Sequence, residues 1–430
     1  MPEFRLRFVW LALLACTLLV NPLSEGKTIH VPGDSTTIQR GILGAVSGDT
    51  VLVAAGEYPD SNTALQGRDI VVISEAGPEA TIIHGSFIFI PSDNSEPIID
   101  GFTIRDDGPL ITCFFGANPL IRNCIISDGD STDIGGAVMA ASSSPRFENC
   151  TFARNRATDA GSAIFAVRAD EAPRCSVTVV DCRFLHNKTT GPPTRGGIDI
   201  HANQGAEVYV TNSLFVGDST STASCAFEWN SLISFDNCTF SGYEYWLFEI
   251  ENDSAGPRLE LDKCVIDYGT ALAFLLTEFP DSVALTRSIL YGWGPVVPES
   301  TITIHFSNYL RANPLFCDTA ADDYHISDTS PALPANNPWG VQLGAYGAGC
   351  SLPYICGDAN GDGAVSMTDV VFTINYIFVD DPEVPSPPAA ADPDCTGDIS
   401  MSDVIYWIQY IFVDDTPPPC DTDNDGEPDC

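Results

Sequence analysis

The sequence predicts an all-β solenoid of short stacked strands that ends in a small α-helical calcium-binding unit. Three observations carry that reading. The first is a unit that the chain keeps rewriting: Phe147-Glu148-Asn149-Cys150-Thr151-Phe152, with variants at 121–126, 179–184, 210–215, 235–240, 261–266 and 285–290. From Cys124 through Cys150, Cys182, Ser213, Cys238 and Cys264 to Ser288, the Cys/Ser position recurs at steps of 26, 32, 31, 25, 26 and 24 residues. The second is the absence of a helical pattern between the units, so each reads as strand, turn, strand. Asn suits that turn because it tolerates the left-handed backbone that other residues resist. The third is an Asp-rich twelve-residue loop near the end of the chain, present twice and followed each time by one amphipathic helix.

Residues 1–26 read as a secretory leader. Arg5 and Arg7 precede the apolar run Phe8 to Val20, and Ser24 and Gly26 fit a small-residue cleavage pattern. Leu13-Leu14-Ala15-Cys16 is only a faint lipidation box, because the apolar run continues past Cys16. No later stretch is long and apolar enough to span a bilayer. Thr28–Val31 opens the body as a strand. The stretch Thr37 to Val46, with Ile38, Ile42, Leu43 and Val46 on one face, reads as a short capping helix over the first coil. Strands follow at Val51–Val53, Asp69–Ser74, Thr81–His84 and Ile98–Ile104. Gly101-Phe102-Thr103-Ile104 is the first member of the repeat series.

The charge bounds the partners. Asp and Glu number 58 against 19 Lys and Arg, a net charge of −39. Nucleic acid and anionic membranes would be repelled, and an exported protein kept soluble by carboxylates, some of them holding calcium, is expected. Of 15 cysteines, the ladder members read as small apolar core fillers. Bridges are expected among Cys317, Cys350, Cys356, Cys395, Cys420 and Cys430, which lie in Pro- and Asp-rich segments of an oxidised chain.

The opening Ile38-Gln39-Arg40 with Gly48-Asp49-Thr50-Val51-Leu52-Val53-Ala54-Ala55-Gly56-Glu57-Tyr58, and the closing Asn313-Pro314-Leu315-Phe316 with Gly344-Ala345-Tyr346-Gly347, resemble secreted right-handed parallel β-helix proteins of the pectin-lyase-like superfamily. The resemblance covers residues 27–350. It is specific for fold and weak for activity, since that superfamily includes lyases, hydrolases, adhesins and inert scaffolds.

Residues 351–415 form the second unit. Asp358, Asn360, Asp362 and Asp369 stand at loop positions 1, 3, 5 and 12, with Gly363 at the turn and the Ala364 carbonyl at position 7. Calcium needs several hard oxygens in that order. Thirty-four residues on, Asp392, Asp394, Thr396 and Asp403 repeat the positions, with the Asp398 carbonyl. The helices that follow are expected to bury Val370, Ile374, Ile377 and Phe378, and Val404, Ile408, Ile411 and Phe412. A duplicated loop with one helix each resembles a type I dockerin. The resemblance implies Ca2+ at both ligand sets and a cohesin-like partner contacted through loop positions 10 and 11, here Met367-Thr368 and Met401-Ser402. Thr396 departs from the usual Asp and implies a weaker second site. The Pro-rich stretch Pro382 to Pro393 and the cysteines depart as well. The tail, residues 416–430, is acidic, and Asp421 to Cys430 resembles a fragment of a thrombospondin type 3 calcium repeat.

Chemistry on the solenoid is expected on an outer face. If Ile198, Phe227 and Phe248 stack inside, then Asp199, Glu228 and Glu249 form an outward carboxylate column, with His201, Asn230 and Glu251 beside it. Neighbouring turns would separate the carboxylates by about 5 Å and alternate turns by about 10 Å. Those values bracket the spacings of retaining and inverting glycosidases. The same column could hold calcium instead, and Tyr243, Tyr245 and Trp246 could offer stacking faces to a sugar. The blander alternative is that outward positions of an acid-rich solenoid are simply polar. His84 and His186 read as ordinary histidines. The leading expectation is a secreted or cell-surface β-helix that recognises or degrades polysaccharide, as a glycoside hydrolase or lyase, tethered through a calcium-dependent dockerin-like module. The alternative is a non-enzymatic adhesin or structural protein with a calcium-binding anchor.

Overall fold

The computed structural model describes residues 26–420 apart from 60–62, 91–94, 170–173, 191–198, 218–224, 229, 244–245, 252–255, 268–271, 277–281, 293–303, 352–353, 380–381, 386 and 414–418. The expected leader, up to residue 25, and the tail from residue 421 lie outside the described residues.

Parallel strands wind through about ten turns of a solenoid. The coil holding Phe147 shows the plan. Val138–Ala141 forms one face, Arg146–Glu148 a second and Thr151–Ala153 a third, and the two-residue strand Arg156–Ala157 runs along a short fourth side. The second and third faces belong to one 21-stranded sheet bent at the turn, and the first to a 9-stranded sheet. Neighbouring coils pair in register: Phe147 lies between Ile121 and Val179, and Phe152 between Ile126 and Phe184.

The turn residue explains the bend. Asn123, Asn149, Asp181, Asn212, Asn237, Lys263 and Arg287 all adopt positive φ, between 44° and 58°, and Gly101 opens the series at 82°. Asn earns its place twice over, because its amide also reaches the next coil. Asn149 Nδ2 donates to Asn123 Oδ1 at 2.8 Å, and Asn237 Nδ2 to Asn212 Oδ1 at 3.0 Å. Where the ladder turns to Lys263 and Arg287, ion pairs with Asp236 and Asp262 on the preceding coils replace the amide bond.

Inward side chains fill the tube. Phe152, Phe184, Phe215 and Phe240 stack nearly face to face, with centroids 4.4 to 4.8 Å apart. The ladder cysteines Cys124, Cys150, Cys182, Cys238 and Cys264 are free thiols in the core. Serine substitutes for cysteine because the position has a polar duty. Ser213 Oγ accepts from the Cys182 amide at 3.1 Å and donates to the Thr211 carbonyl at 2.9 Å. Ser288 repeats the arrangement toward Cys264 and Thr286. A buried hydroxyl is tolerated when both of its roles are filled.

At the first end, helix α1 (Ile38–Gly44) caps the tube, with Thr37 accepting from the Arg40 amide at 3.2 Å. Only part of its expected inward face is inward. Ile38 and Ile42 are buried, whereas Leu43 and Val46 are exposed, because the helix ends at Gly44 and Ala45 turns extended. At the other end, Phe316–Asp318, Asp323–Ser327 and Ala348–Cys350 make a three-stranded sheet stapled by the Cys317–Cys350 disulfide. This segment folds back over the third face, where Tyr324 packs on Leu214 and Val216. That covering is why Leu214–Val216 and Thr239–Ser241 are buried on both sides.

The second unit contains helices α2 (Met367–Phe378) and α3 (Met401–Phe412), each opened by a capping box at Ser366 and Ser400. Its core is Val370, Ala391, Val404 and Trp407, with Ile377 and Ile411 against them. The expected inward faces need correction. Ile374, Phe378, Ile408 and Phe412 are exposed, and Thr373 and Trp407 are buried in their place. The inward spacing is i, i+3, i+7, since two short helices facing each other need only one narrow seam. Cys356–Cys420 closes this unit, and Cys395 is also disulfide-bonded. The bridges therefore fall among the cysteines expected to form them. Between the helices, the Val384 amide donates to the Arg311 carbonyl at 2.5 Å, and Glu383 pairs with Arg311 beside the solenoid's last coil.

Truncating a ring in the phenylalanine stack should be far more damaging than altering the turn. Urea denaturation should show Phe184→Ala losing about 3–5 kcal/mol. Asn149→Gly keeps the left-handed backbone and gives up one exposed amide bond, so it should lose about 1 kcal/mol or less.

Candidate functional site

The strand register does not assemble the expected carboxylate column. Ile200 pairs with Cys225 and Cys225 with Phe248, so His201, Ala226 and Glu249 share one column. Glu228 pairs with Glu251, two positions further along. Asp199, Glu228 and Glu249 thus stand at three different positions of the coil. Aligning Ile198 with Phe227 and Phe248 implies another register: Ile200 and Cys225 stand in the row of Phe248, and Ala202 in that of Phe227. The side chains of Glu228, Glu249, Glu251 and Trp246, and residues 198, 229 and 245, are outside the described set.

Asp199 itself points inward. Asn187 Nδ2 donates to its Oδ1 at 2.8 Å, and the Tyr243 hydroxyl to its Oδ2 at 2.5 Å. Burial pushes its carboxyl up to about 7, against the pull of those two donors. It ends an interior asparagine ladder in which Asn155 Oδ1 accepts from Gly129, and Asn187 Oδ1 from the Asn155 amide. Tyr243 is therefore a partner of this ladder, not an exposed stacking face. His201 is buried, stacks on Phe165 at 5.2 Å, and is held by burial at about 4, hence neutral.

A polar hollow of about 540 Å³ lies elsewhere, along the short fourth side. There Asp130, Arg156 and Lys188 stack in register on successive turns, and Asp107 bridges to Asp130. Beside them run Asp128, Arg154 and His186, all left-handed, with φ of 61°, 55° and 54°. Arg154 donates from Nε and Nη2 to the two carboxylate oxygens of Asp128 at 2.8 and 2.9 Å. His186 Nε2 stands 3.7 Å from Asp322 Oδ2. The hollow carries acids at one end and cations at the other. Its residues were readable from the repeat: Asp130, Arg156 and Lys188 each follow a ladder cysteine by six residues.

The two Asp-rich loops fold alike. Asp358 accepts from the Asp362 and Gly363 amides at 3.0 and 2.8 Å, and Asp392 from the Thr396 and Gly397 amides at 3.0 and 2.8 Å. Gly363 and Gly397 hold the tight turn, at φ 89° and 86°. At the last position Asp369 and Asp403, both fully buried, take the Ser366 and Ser400 amides at 2.7 Å. Each closes its Asp-rich loop and opens the next helix with the same carboxylate. Burial and the neighbouring aspartates raise both, Asp403 to about 7.

The donor set fits calcium. Asp392, Asp394 and Asp403 each place one oxygen within 4.8 Å of the others. Oδ1 of Asp403 is buried and accepts no hydrogen bond among the described residues. Converging carboxylates that repel one another, with one oxygen left unsatisfied, suit a hard dication.

The family model for a right-handed β-helix region matches residues 79–240. That for a type I dockerin domain matches residues 356–412, the span of both loops and both helices. The chain is a β-helix protein with a type I dockerin. No curated protein matches it. Dockerins of this type generally bind calcium and pair with cohesins. On this dockerin, Met367, Val371, Ile374 and Phe378 form an exposed apolar stripe along α2, and Met401, Ile405, Ile408 and Phe412 form its copy along α3. The stripes begin at loop position 10. Sequence periodicity had placed half of these residues in the core, because an apolar seam and an apolar binding face share one helical spacing.

The buried Asp199 predicts a pH signature. Its folded carboxyl titrates near 7 and its unfolded one near 4, so the folded state holds the extra proton. Stability should fall as pH rises from 4 to 7 and level off above. Buried neutral His201 contributes the opposite slope below its ordinary range, so the comparison is with Asp199→Asn. Thermal melts of the two proteins, subtracted across that window, should show the wild type losing ground as pH rises. A flat difference would place Asp199 in contact with water.

Proposed function

We propose that the protein is an exported assembly component whose solenoid meets polysaccharide and whose dockerin fixes it to a cohesin-bearing scaffold. The observation that carries this reading is the internally repeated pair of loops with a matching exposed apolar stripe behind each. An isolated helix pair would bury eight large apolar residues if it had nothing to bind. Calcium organises the loops that set the angle of α2 and α3. Asp358, Asn360, Asp362, Asp369 and the Ala364 carbonyl would hold one ion, and Asp392, Asp394, Thr396, Asp403 and the Asp398 carbonyl the other. The bound ion offsets the carboxylate repulsion that otherwise opens each loop.

On the solenoid, recognition is better supported than hydrolysis. The expected residues Asp199, Glu228 and Glu249 do not share one row of the coil, and Asp199 is committed to the interior. The hollow along Asp107, Asp128, Asp130, Arg154, Arg156, His186 and Lys188 offers what a hydroxyl-rich chain needs: many exposed donors and acceptors on a rigid scaffold. An export route suits the disulfides, and among the described residues no helix is long and apolar enough to cross a membrane.

Calorimetry should resolve two calcium sites, with Asp358→Ala and Asp392→Ala each removing one and the second site weaker because Thr396 replaces a carboxylate. Pull-down on an immobilised type I cohesin should require calcium. Phe378→Asp combined with Phe412→Asp should weaken it at least tenfold while both calcium sites persist. Cohesin capture that survives chelation, or that ignores the double change, would overturn the assembly reading.

A further inference from the structure

In a chain with three times as many acids as bases, cations find partners easily. Arg122 pairs with Asp100, Arg146 with Glu148, Arg154 with Asp128, Arg174 with Glu207, Lys263 with Asp236 and Arg287 with Asp262. Other cations, Arg40, Arg105 and Arg183 among them, form no ion pair among the described residues, and Arg156 and Lys188 are set apart by standing together. They occupy one register position on adjacent turns, about 4.8 Å apart at the backbone, and neither forms an ion pair among the described residues. Asp130 lies one turn from Arg156 on the other side, yet no bridge closes between them. Two like charges stacked in one hollow repel each other, and an anion between them relieves that repulsion.

We propose that Arg156 and Lys188 form an anion subsite for a single acidic group, carboxylate or sulfate, on an otherwise uncharged glycan. The proposal rests on the reading of this face as a polysaccharide surface and names the ligand class. The charge pattern along the groove sets that class. Asp107, Asp130, Arg156 and Lys188 span three steps of the solenoid, roughly 15 Å, enough for a short oligosaccharide. An evenly charged polyanion lying there would carry its next charges onto Asp130, Asp107 and Asp128. A glycan with one acidic residue places it over Arg156 and Lys188 and turns neutral hydroxyls to the aspartates, which accept hydrogen bonds from them. Arg154 is already engaged in both directions by Asp128, which leaves the two stacked cations as the anion's contacts.

The test uses the full chain with calcium and four oligosaccharides of matched length: xylotetraose, xylotetraose carrying one glucuronate, a galactan tetrasaccharide carrying one sulfate, and tetragalacturonate. The singly charged ligands should bind about tenfold or more tighter than xylotetraose, with affinity falling as salt rises. Binding by one of these two and not the other names the acidic group. Arg156→Gln and Lys188→Gln should each erase that advantage, so that the variant binds the singly charged ligands no tighter than it binds xylotetraose. Asp130→Asn should admit tetragalacturonate. If tetragalacturonate already binds tightest, or the two Gln variants bind the charged ligands as the wild type does, the subsite is wrong while the glycan reading stands. If no oligosaccharide binds, both fall. A thermal melt of each variant that matches the wild type's reports that the solenoid has folded.

Discussion

In-register stacking obliges every side chain to live beside its own equivalent one turn away. Few residue types accept that condition, and those that do mark the ladders of this sequence. Asparagine accepts it because its amide is both donor and acceptor, so a column of them bonds to itself. Phenylalanine accepts it because rings spaced by one strand separation can slide into offset stacks. A charge accepts it when the opposite sign alternates along the column, as in Asp100, Arg122 and Glu148, or when a cation on the neighbouring turn residue reaches it, as Lys263 reaches Asp236. Where neither alternation nor self-pairing holds, as at Arg156 and Lys188, the column is unfinished.

The same condition explains what was legible from sequence. The coil, its turn residue, the core thiols and the two Asp-rich loops all recur, and recurrence makes them visible in the sequence. Registration across loops of unequal length was not visible. Between Ile200 and Cys225 the chain spends its residues differently from the way it does between Cys225 and Phe248, so aligning Ile198 with Phe227 slips by four residues and aligning Phe227 with Phe248 by two. An even slip keeps the alternation of faces and still moves every outward neighbour, which dissolves the expected carboxylate column. Asp199 was misread for a second reason: a polar residue inside the tube is allowed when Asn187 and Tyr243 meet it, and no periodicity reports such partners.

Helix faces in the dockerin pose the reverse difficulty. Ile374, Phe378, Ile408 and Phe412 belong by hydropathy to a core, and only the fold shows that Val370, Thr373, Val404 and Trp407 already fill it. Surplus apolar surface, duplicated with the loops, then becomes the most informative surface on the unit. The hollow on the solenoid is informative in the opposite way, through charge that its surroundings leave uncompensated.

Glu383 and Val384, between the two Asp-rich loops, run beside the solenoid's final coil at Arg311, where the Val384 amide donates to the Arg311 carbonyl, and Val384 joins the apolar cluster of Ile289, Ala312 and Leu343. The two units are thereby seamed as well as strung together. Tension applied at the dockerin enters the solenoid through backbone pairing and packed side chains in addition to the connecting chain. A seam of this kind gives the groove a bearing: its direction is set by the body that holds the anchor, as a blade's is by its handle.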